Sequence, residues 1–232
     1  MKDLFGKALL DYQNGNYSED IITSTNISDE DVLPLPYLFR DYNDMPKLEQ
    51  KALQLSKGKI LDVGCGGGSH SLCLQKKGFK VKAIDISKGA IEVAQKRGVL
   101  HVEVLNVLEE TESFDTILLL MNGTGIFQEL VQVSKYLTHI KSLLNPNGQI
   151  LIDSSDIKYM YEDDDGGFWM DMNSQYYGEL DYFLSYKGEK EIPMKWLYLD
   201  FETLKLACET VGLKCELILE GKHFDYLARL TV

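Results

Sequence analysis

The sequence predicts an α/β fold: a mostly parallel seven-stranded sheet with helices on both faces, antiparallel strands at the C-terminal end and an inserted β-hairpin. Three observations predict it. From residue 58 short apolar runs alternate with helical stretches, the first run ends in an acid and a glycine-rich turn, and the stretch after residue 199 reads helix, strand, turn, strand. A strand, helix, strand rhythm argues for right-handed βαβ units and a parallel sheet. At 232 residues, one domain with an insertion is expected.

Residues 1–57 look helical and polar, broken at Pro34 and Pro36, and end in the amphipathic piece MPKLEQKALQL. They are expected to form an N-terminal helical cap. Residues 58–153 then read as the core: KILDVG, SLCLQKKG, KVKAIDI, GAIEVAQKRG, HVEVLNV, FDTILLLM, a helix ending near LLNPNG, and QILIDSS. Residues 154–199 are irregular and hold 11 of the 24 aromatic side chains. Within them Leu180, Tyr182, Leu184 and Tyr186, then Ile192, Met194, Trp196 and Tyr198, alternate with other residues on either side of Lys187-Gly188, which predicts a two-stranded hairpin. Inserted after the fifth parallel strand, such a hairpin would stand over the strand ends as a lid or pocket wall; a dimer interface or a plain cover for the sheet are the open alternatives. The acidic run from Tyr161 to Gly167 reads as a solvated loop, without the ligand spacing of a calcium site. Residues 200–232 read as a helix capped by Asp200 and ended by Gly212, followed by two antiparallel strands that complete the sheet.

Composition excludes several function classes. Lys and Arg number 24 against 36 Asp and Glu, a net charge of −12 that repels the phosphate backbone, so no nucleic-acid partner is expected. Cys65, Cys73, Cys208 and Cys215 form neither a CxxC pair nor a zinc or disulfide spacing, which points to reduced thiols and no metal. Apolar runs such as Ile117 to Met121 fall far short of the roughly 20 residues of a membrane span, and MKDLFGKALLDYQ lacks a signal-peptide core. A cytoplasmic protein without membrane contact is expected, either monomer or homodimer.

The informative string runs from Ile60 to Ser69, ILDVGCGGGS, where an apolar strand ends in a carboxylate and enters a glycine-rich turn before a helix. Glycines let the backbone approach a ligand there. A dinucleotide loop wants G-x-G-x-x-G/A, but counting from Gly64 puts Ser69 at the last position, and Asp62 would lie close to the pyrophosphate. The acid suits a cationic ligand better. A second strand, KAID, ends in Asp85, 21 residues after Gly64, where a carboxylate can accept both ribose hydroxyl protons.

Together ILDVGCGGG and AIDISKGAIEVAQKRG resemble the first two motifs of the class I, Rossmann-like S-adenosylmethionine-dependent methyltransferases, a resemblance that covers residues 45–155. It implies S-adenosylmethionine as cofactor and S-adenosylhomocysteine as product. By matching positions, Asp62 with Gly64, Gly66 and Gly68 should hold the methionine part, Asp85 the ribose, and Ile86 should pack on the adenine. Many members carry an Asp after the third strand to meet the adenine amino group; this chain has Asn106 followed by Val107. FDTILLLMNGTG matches the fourth strand and puts Leu120, Met121 and Asn122 beneath the transferable methyl. Tyr37-Leu38-Phe39-Arg40 is similar to a segment that folds over the cofactor, with Arg40 gripping the methionine carboxylate. The implied activity is methyl transfer by in-line displacement to a small-molecule acceptor, the alternatives being a protein or RNA acceptor or a non-catalytic cofactor-binding protein. The MNGTG string lacks the Asn/Asp-Pro-Pro-aromatic signature of amino-methylating DNA enzymes, and no cysteine follows a proline. None of His70, His101, His139 and His223 forms a recognisable dyad with an acid in the sequence, so no base is named.

Overall fold

The computed structural model describes residues 2–162 and 175–232, so most of the acidic run, with Phe168 and Trp169, lies outside the described residues. The chain opens with helix α1 (Leu4–Gln13), strands β1 (Ile21–Thr25) and β2 (Ser28–Leu33), a short helix α2 (Leu35–Leu38) and helix α3 (Lys47–Leu55). The core follows as β3 (Lys59–Val63), α4 (Ser69–Lys76), β4 (Lys80–Asp85), α5 (Lys88–Lys96), β5 (Val102–Val104), β6 (Phe114–Leu119), α6 (Val133–Ser142) and β7 (Leu144–Ser155). Beyond it come β8 (Glu179–Tyr186), β9 (Glu189–Lys190), β10 (Met194–Leu197), α7 (Phe201–Thr210), β11 (Lys214–Glu220) and β12 (Asp225–Thr231).

The main sheet has seven strands in the order β11-β12-β7-β6-β3-β4-β5, parallel from β3 to β7 and antiparallel at β12 and β11. This is the expected Rossmann-like α/β architecture. The order reverses direction beside β3, and that crevice at the strand C-termini is where such sheets bind ligands. Side-chain alternation assigns the two faces. Leu61, Val63, Ile117, Leu119, Ile150 and Ile152 pack with α6 and α7, while Ile60, Leu118 and Leu151 pack with Leu48, Ala52 and Leu53 of α3 and Leu74 of α4. A consequence for the site is that Asp62 and Asp153, two residues beyond Ile60 and Leu151, face the α3/α4 side.

The N-terminal segment departs from the helical cap expected for residues 1–57. Ile21–Thr25 and Ser28–Leu33 form a hairpin, with the turn closed by the Thr25 N–H donating to Ser28 Oγ at 3.1 Å. The β-branched run IITST favours a strand. The acidic SDED of β2, mostly exposed on the outer edge, hides the pattern because an edge strand discourages further pairing with charge rather than alternating apolar residues.

The hairpin expected around Lys187-Gly188 is present, with both turn residues left-handed at φ 50 and 73. It does not stand alone: β10, β8, β1 and β2 are consecutive neighbours in a second, antiparallel sheet, so the N-terminal segment and the insertion are one layer. Leu184 and Tyr186 of β8 bury against Leu4, Ala8 and Leu9 of α1. At the C-terminal end Asp200 caps α7 by accepting from the Thr203 N–H at 2.9 Å, and Gly212 follows the helix at φ 68, both as expected. Among the described residues no helix is long and apolar enough to cross a membrane.

Candidate functional site at the strand C-termini

Between β3 and α4 the chain turns through Gly64, Gly66 and Gly68 at φ 70, 51 and 80, left-handed angles that a Cβ would strain. A Cβ placed on Gly66 would meet nothing nearer than the Phe5 ring at 3.9 Å, so this backbone is open to a ligand. The Gly66 N–H donates to Asp85 Oδ2 at 2.9 Å and the Ser87 N–H to Asp85 Oδ1 at 2.8 Å. Loop and second strand-end acid are thus brought together. Burial pushes the Asp85 carboxyl above its usual range, against the pull of these two N–H groups. Ile86, beside it, is 55 % exposed. Asn106 and Val107 divide their tasks: Asn106 Oδ1 accepts from the Leu108 N–H at 2.9 Å, capping a short turn, and Val107 is buried.

Helix α1 also reaches this region, which sequence reasoning missed. Asp3 accepts from the Gly89 N–H at the start of α5 at 2.9 Å. Gly6 and Gly89 approach so closely that a Cβ on Gly89 would lie 2.5 Å from the Gly6 carbonyl carbon. That contact carries Phe5 to the glycine loop.

Behind the loop lies a buried charge cluster. Asp62, 2 % exposed, accepts from Ser71 Oγ at 2.5 Å. Burial raises its carboxyl pKa, opposed by His70 and by Ser71. Arg40 donates from one terminal nitrogen to both Glu49 oxygens and from the other to the Tyr37 carbonyl at 2.5 Å, with the Tyr37 ring 3.9 Å from the guanidinium. Its buried Nε has no protein partner among the described residues. His70 Nε2 lies 2.6 Å from Glu49 Oε2, so His70 does belong to an acid pair, one that only folding assembles. Burial works to raise the Glu49 pKa, but His70 and Arg40 outweigh it and the carboxyl ends below its usual range. For His70 burial pulls down, yet the bond to Glu49 and the nearness of Asp62 leave its pKa raised. Cys65, beside the loop, is buried, which pushes its thiol well above the usual range and leaves it unreactive.

Met121 lies where β6 ends, and both it and Asn122 adopt left-handed backbone, at φ 66 and 60. Such residues cost about 1–2 kcal/mol each. Asp153, which sequence reasoning also missed, offsets that cost: Oδ2 accepts from the Met121 N–H and Oδ1 from the Gly123 N–H, both at 3.0 Å. Burial pushes the Asp153 carboxyl up from 3.8 to about 6, with Glu49 adding to the rise and the two N–H groups and His70 opposing it. The inserted sheet covers the same turn: the Trp196 ring lies against Gly125 and 5.3 Å from the Tyr182 ring.

A carboxyl whose folded pKa is raised contributes stability that is complete below its unfolded pKa and is lost as pH rises through the folded value. For Asp153 that window runs from 3.8 to about 6. The loss is roughly 3 kcal/mol, at about 1.4 kcal/mol per unit. Wild type should therefore lose roughly 2–3 kcal/mol relative to Asp153→Asn between pH 4 and pH 7 in urea titrations. Equal differences at the two pH values would show that the carboxyl titrates normally.

A family model described as a methyltransferase domain matches residues 54–195. Over 100 % of this chain and 95 % of the other, the structure superposes with TM-score 0.93 and 45 % identity on an S-adenosylmethionine-dependent methyltransferase from Bacteroides fragilis, crystallised with S-adenosylhomocysteine. A methyltransferase from Streptomyces caelestis shares the fold at TM-score 0.62 and 13 % identity, over 81 % of this chain and 90 % of that one. The ubiquinone biosynthesis O-methyltransferase of Pasteurella multocida is 32 % identical over 117 residues, 44 % of this chain and 48 % of that protein. The chain spans about half the length of the curated relatives it matches. With the glycine-rich turn, the two strand-end acids and the sheet order alike in place, the chain belongs to the methyltransferase-domain family.

Proposed function

We propose that the protein is an S-adenosylmethionine-dependent methyltransferase acting on a small-molecule acceptor and leaving S-adenosylhomocysteine. The observation that carries this reading is the open Gly66 backbone tied to Asp85, in a chain 45 % identical to a methyltransferase crystallised with S-adenosylhomocysteine. The residues fit the cofactor chemically. Acids suit its ammonium and its ribose hydroxyls, and the glycine cradle leaves the room a side chain would fill.

In this reading Gly64, Gly66, Gly68 and Asp62 hold the methionine part, Asp85 the ribose, Ile86, Asn106 and Val107 the adenine side, and Arg40 the carboxylate. Met121 borders the methyl. When bound, the cofactor supplies an electrophilic methyl on a sulfonium, open to in-line attack. The protein's part is alignment and exclusion of water, which together account for much of such a rate enhancement. Helix α1 shields the loop through Phe5, and Tyr182 and Trp196 of the inserted sheet form the aromatic wall on the acceptor side. A small acceptor agrees with the ubiquinone O-methyltransferase relatives and with the net charge of −12. A cytoplasmic location and a monomer or homodimer belong to the same reading; light scattering measures the latter.

Calorimetry tests the cofactor assignment. S-adenosylhomocysteine should bind and NAD should not. NAD binding without response to either adenosyl ligand overturns the reading, and S-adenosylhomocysteine formed from a metabolite pool separates a catalyst from a binding protein.

A further inference from the structure

Three consecutive β7 side chains bond the turn that ends β6. Asp153 accepts from the Met121 and Gly123 N–H groups at 3.0 Å, Ser154 Oγ lies 2.6 Å from Thr124 Oγ1, and Ser155 Oγ is 3.2 Å from Asn122 Oδ1. Thr124 Oγ1 and Ser154 Oγ then bond the Leu197 carbonyl and the Leu199 N–H, joining the turn to the exit of β10. The turn contains two successive left-handed residues with side chains, a form the backbone does not keep unaided. We propose that Asp153 is a positioning residue for methyl transfer, its ionised carboxylate holding the Met121–Gly123 turn in the form that borders the transferable methyl. This rests on the methyltransferase reading above.

The charge state is what the geometry demands. An ionised carboxylate has no donor, so both oxygens can accept the two N–H groups. Protonation turns one oxygen into a donor facing a donor, and the strained turn loses half its clamp. The groups facing Asp153 are Glu49 from α3, His70 from α4 and Tyr37 from α2; Arg40, the cation of this cluster, is held by Glu49. No cation pairs directly with Asp153 among the described residues, and its pKa of about 6 places the change within reach of ordinary buffers. Sequence alternation explains how the residue arrives: in QILIDSS, Asp153 shares its face with Leu151, so the strand that packs α3 with Leu151 aims Asp153 at the turn.

Two backbone amides of the full chain and the methyl of bound cofactor test this, read from pH 4.5 to 8. Backbone amides of Met121 and Gly123 in isotope-labelled protein should titrate together with a midpoint near 6. With S-adenosylmethionine carrying a ¹³C methyl, the bound methyl signal should move with the same midpoint. Both movements should vanish in Asp153→Asn, whose affinity for S-adenosylhomocysteine should stay within about threefold. On any acceptor found by the metabolite screen, its rate should fall at least about tenfold and lose the acidic limb that wild type shows. His70→Asn should raise the midpoint without removing it, because His70 favours the ionised form. Should Asp153→Asn not fold, Ser155→Ala serves, weakening the turn while keeping the midpoint. A methyl signal that titrates unchanged in Asp153→Asn, or one that stops titrating in His70→Asn, overturns the proposal. Absence of cofactor binding by folded wild type overturns the methyltransferase reading instead, while the amide titration still judges the clamp.

Discussion

Replacing Asp85 by alanine should raise the dissociation constant for S-adenosylhomocysteine ten- to a hundredfold in a chain that still folds. In the structure the carboxylate accepts the Gly66 and Ser87 N–H groups, and in the proposed reading it also accepts ribose hydroxyls at the β4 end. Hydrogen bonds to a charged acceptor contribute about 1.5–3 kcal/mol, and about 1.4 kcal/mol is tenfold in affinity. Losing the ligand contact alone gives the lower bound, and loosening Gly66 moves the result toward the upper one. Folding should survive because Ser87 Oγ still caps α5 through the Ala90 N–H, and because a part-buried carboxyl with a raised pKa is itself a cost to the fold. Asp85→Asn should fall between the two, keeping one acceptor oxygen. Calorimetry against wild type decides, and an unchanged constant in folded Asp85→Ala would remove this residue from the site.

The difference between what the sequence discloses and what it hides is physical. Local order is legible: apolar period, caps and glycines mark β3 to β7, Asp200 and Gly212 bracket α7, and Lys187-Gly188 marks a hairpin. Asp62 and Asp85 are legible as a pair, because two acids ending successive apolar runs flank one glycine-rich loop, where either alone would read as an ordinary turn acid. Asp153 ends the apolar run QILI in the same way, and that signal could have found it. Glu49 and His70 could not be paired in advance. They lie 21 residues apart on helices α3 and α4, and only the packing of those helices on one sheet face brings them within 2.6 Å. The β1/β2 hairpin was hidden for a related reason: its partner is β8, far along the chain, and its exposed edge carries acids instead of an alternating pattern. Contacts of long sequence separation leave little local trace.

Glu49→Ala should be the most destabilising of these substitutions. The Arg40 and Glu49 side chains are each only 4 % exposed, and removing the carboxylate strands a buried guanidinium together with the His70 ring. Breaking a buried pair on one side costs about 3–5 kcal/mol, because the remaining charge has neither water nor partner. At about 2–4 °C per kcal/mol for a chain of this size, Tm should fall by roughly 6–20 °C. The sign for His70 follows: without Glu49, burial is freed to depress its pKa, so the ring should be neutral at pH 7 in the variant. The double substitution Arg40→Met with Glu49→Leu separates stability from function. Replacing a buried ion pair by apolar residues of similar volume is often neutral, so Tm should recover most of the loss, short of what the stranded His70 costs. Affinity for S-adenosylhomocysteine should nevertheless fall about tenfold if Arg40 holds the ligand carboxylate as proposed, since a charge-assisted bond of that kind contributes about 1.5 kcal/mol or more. Recovered Tm with unchanged affinity would make Arg40 the counterion of Glu49 alone and leave the carboxylate to be held by the glycine loop.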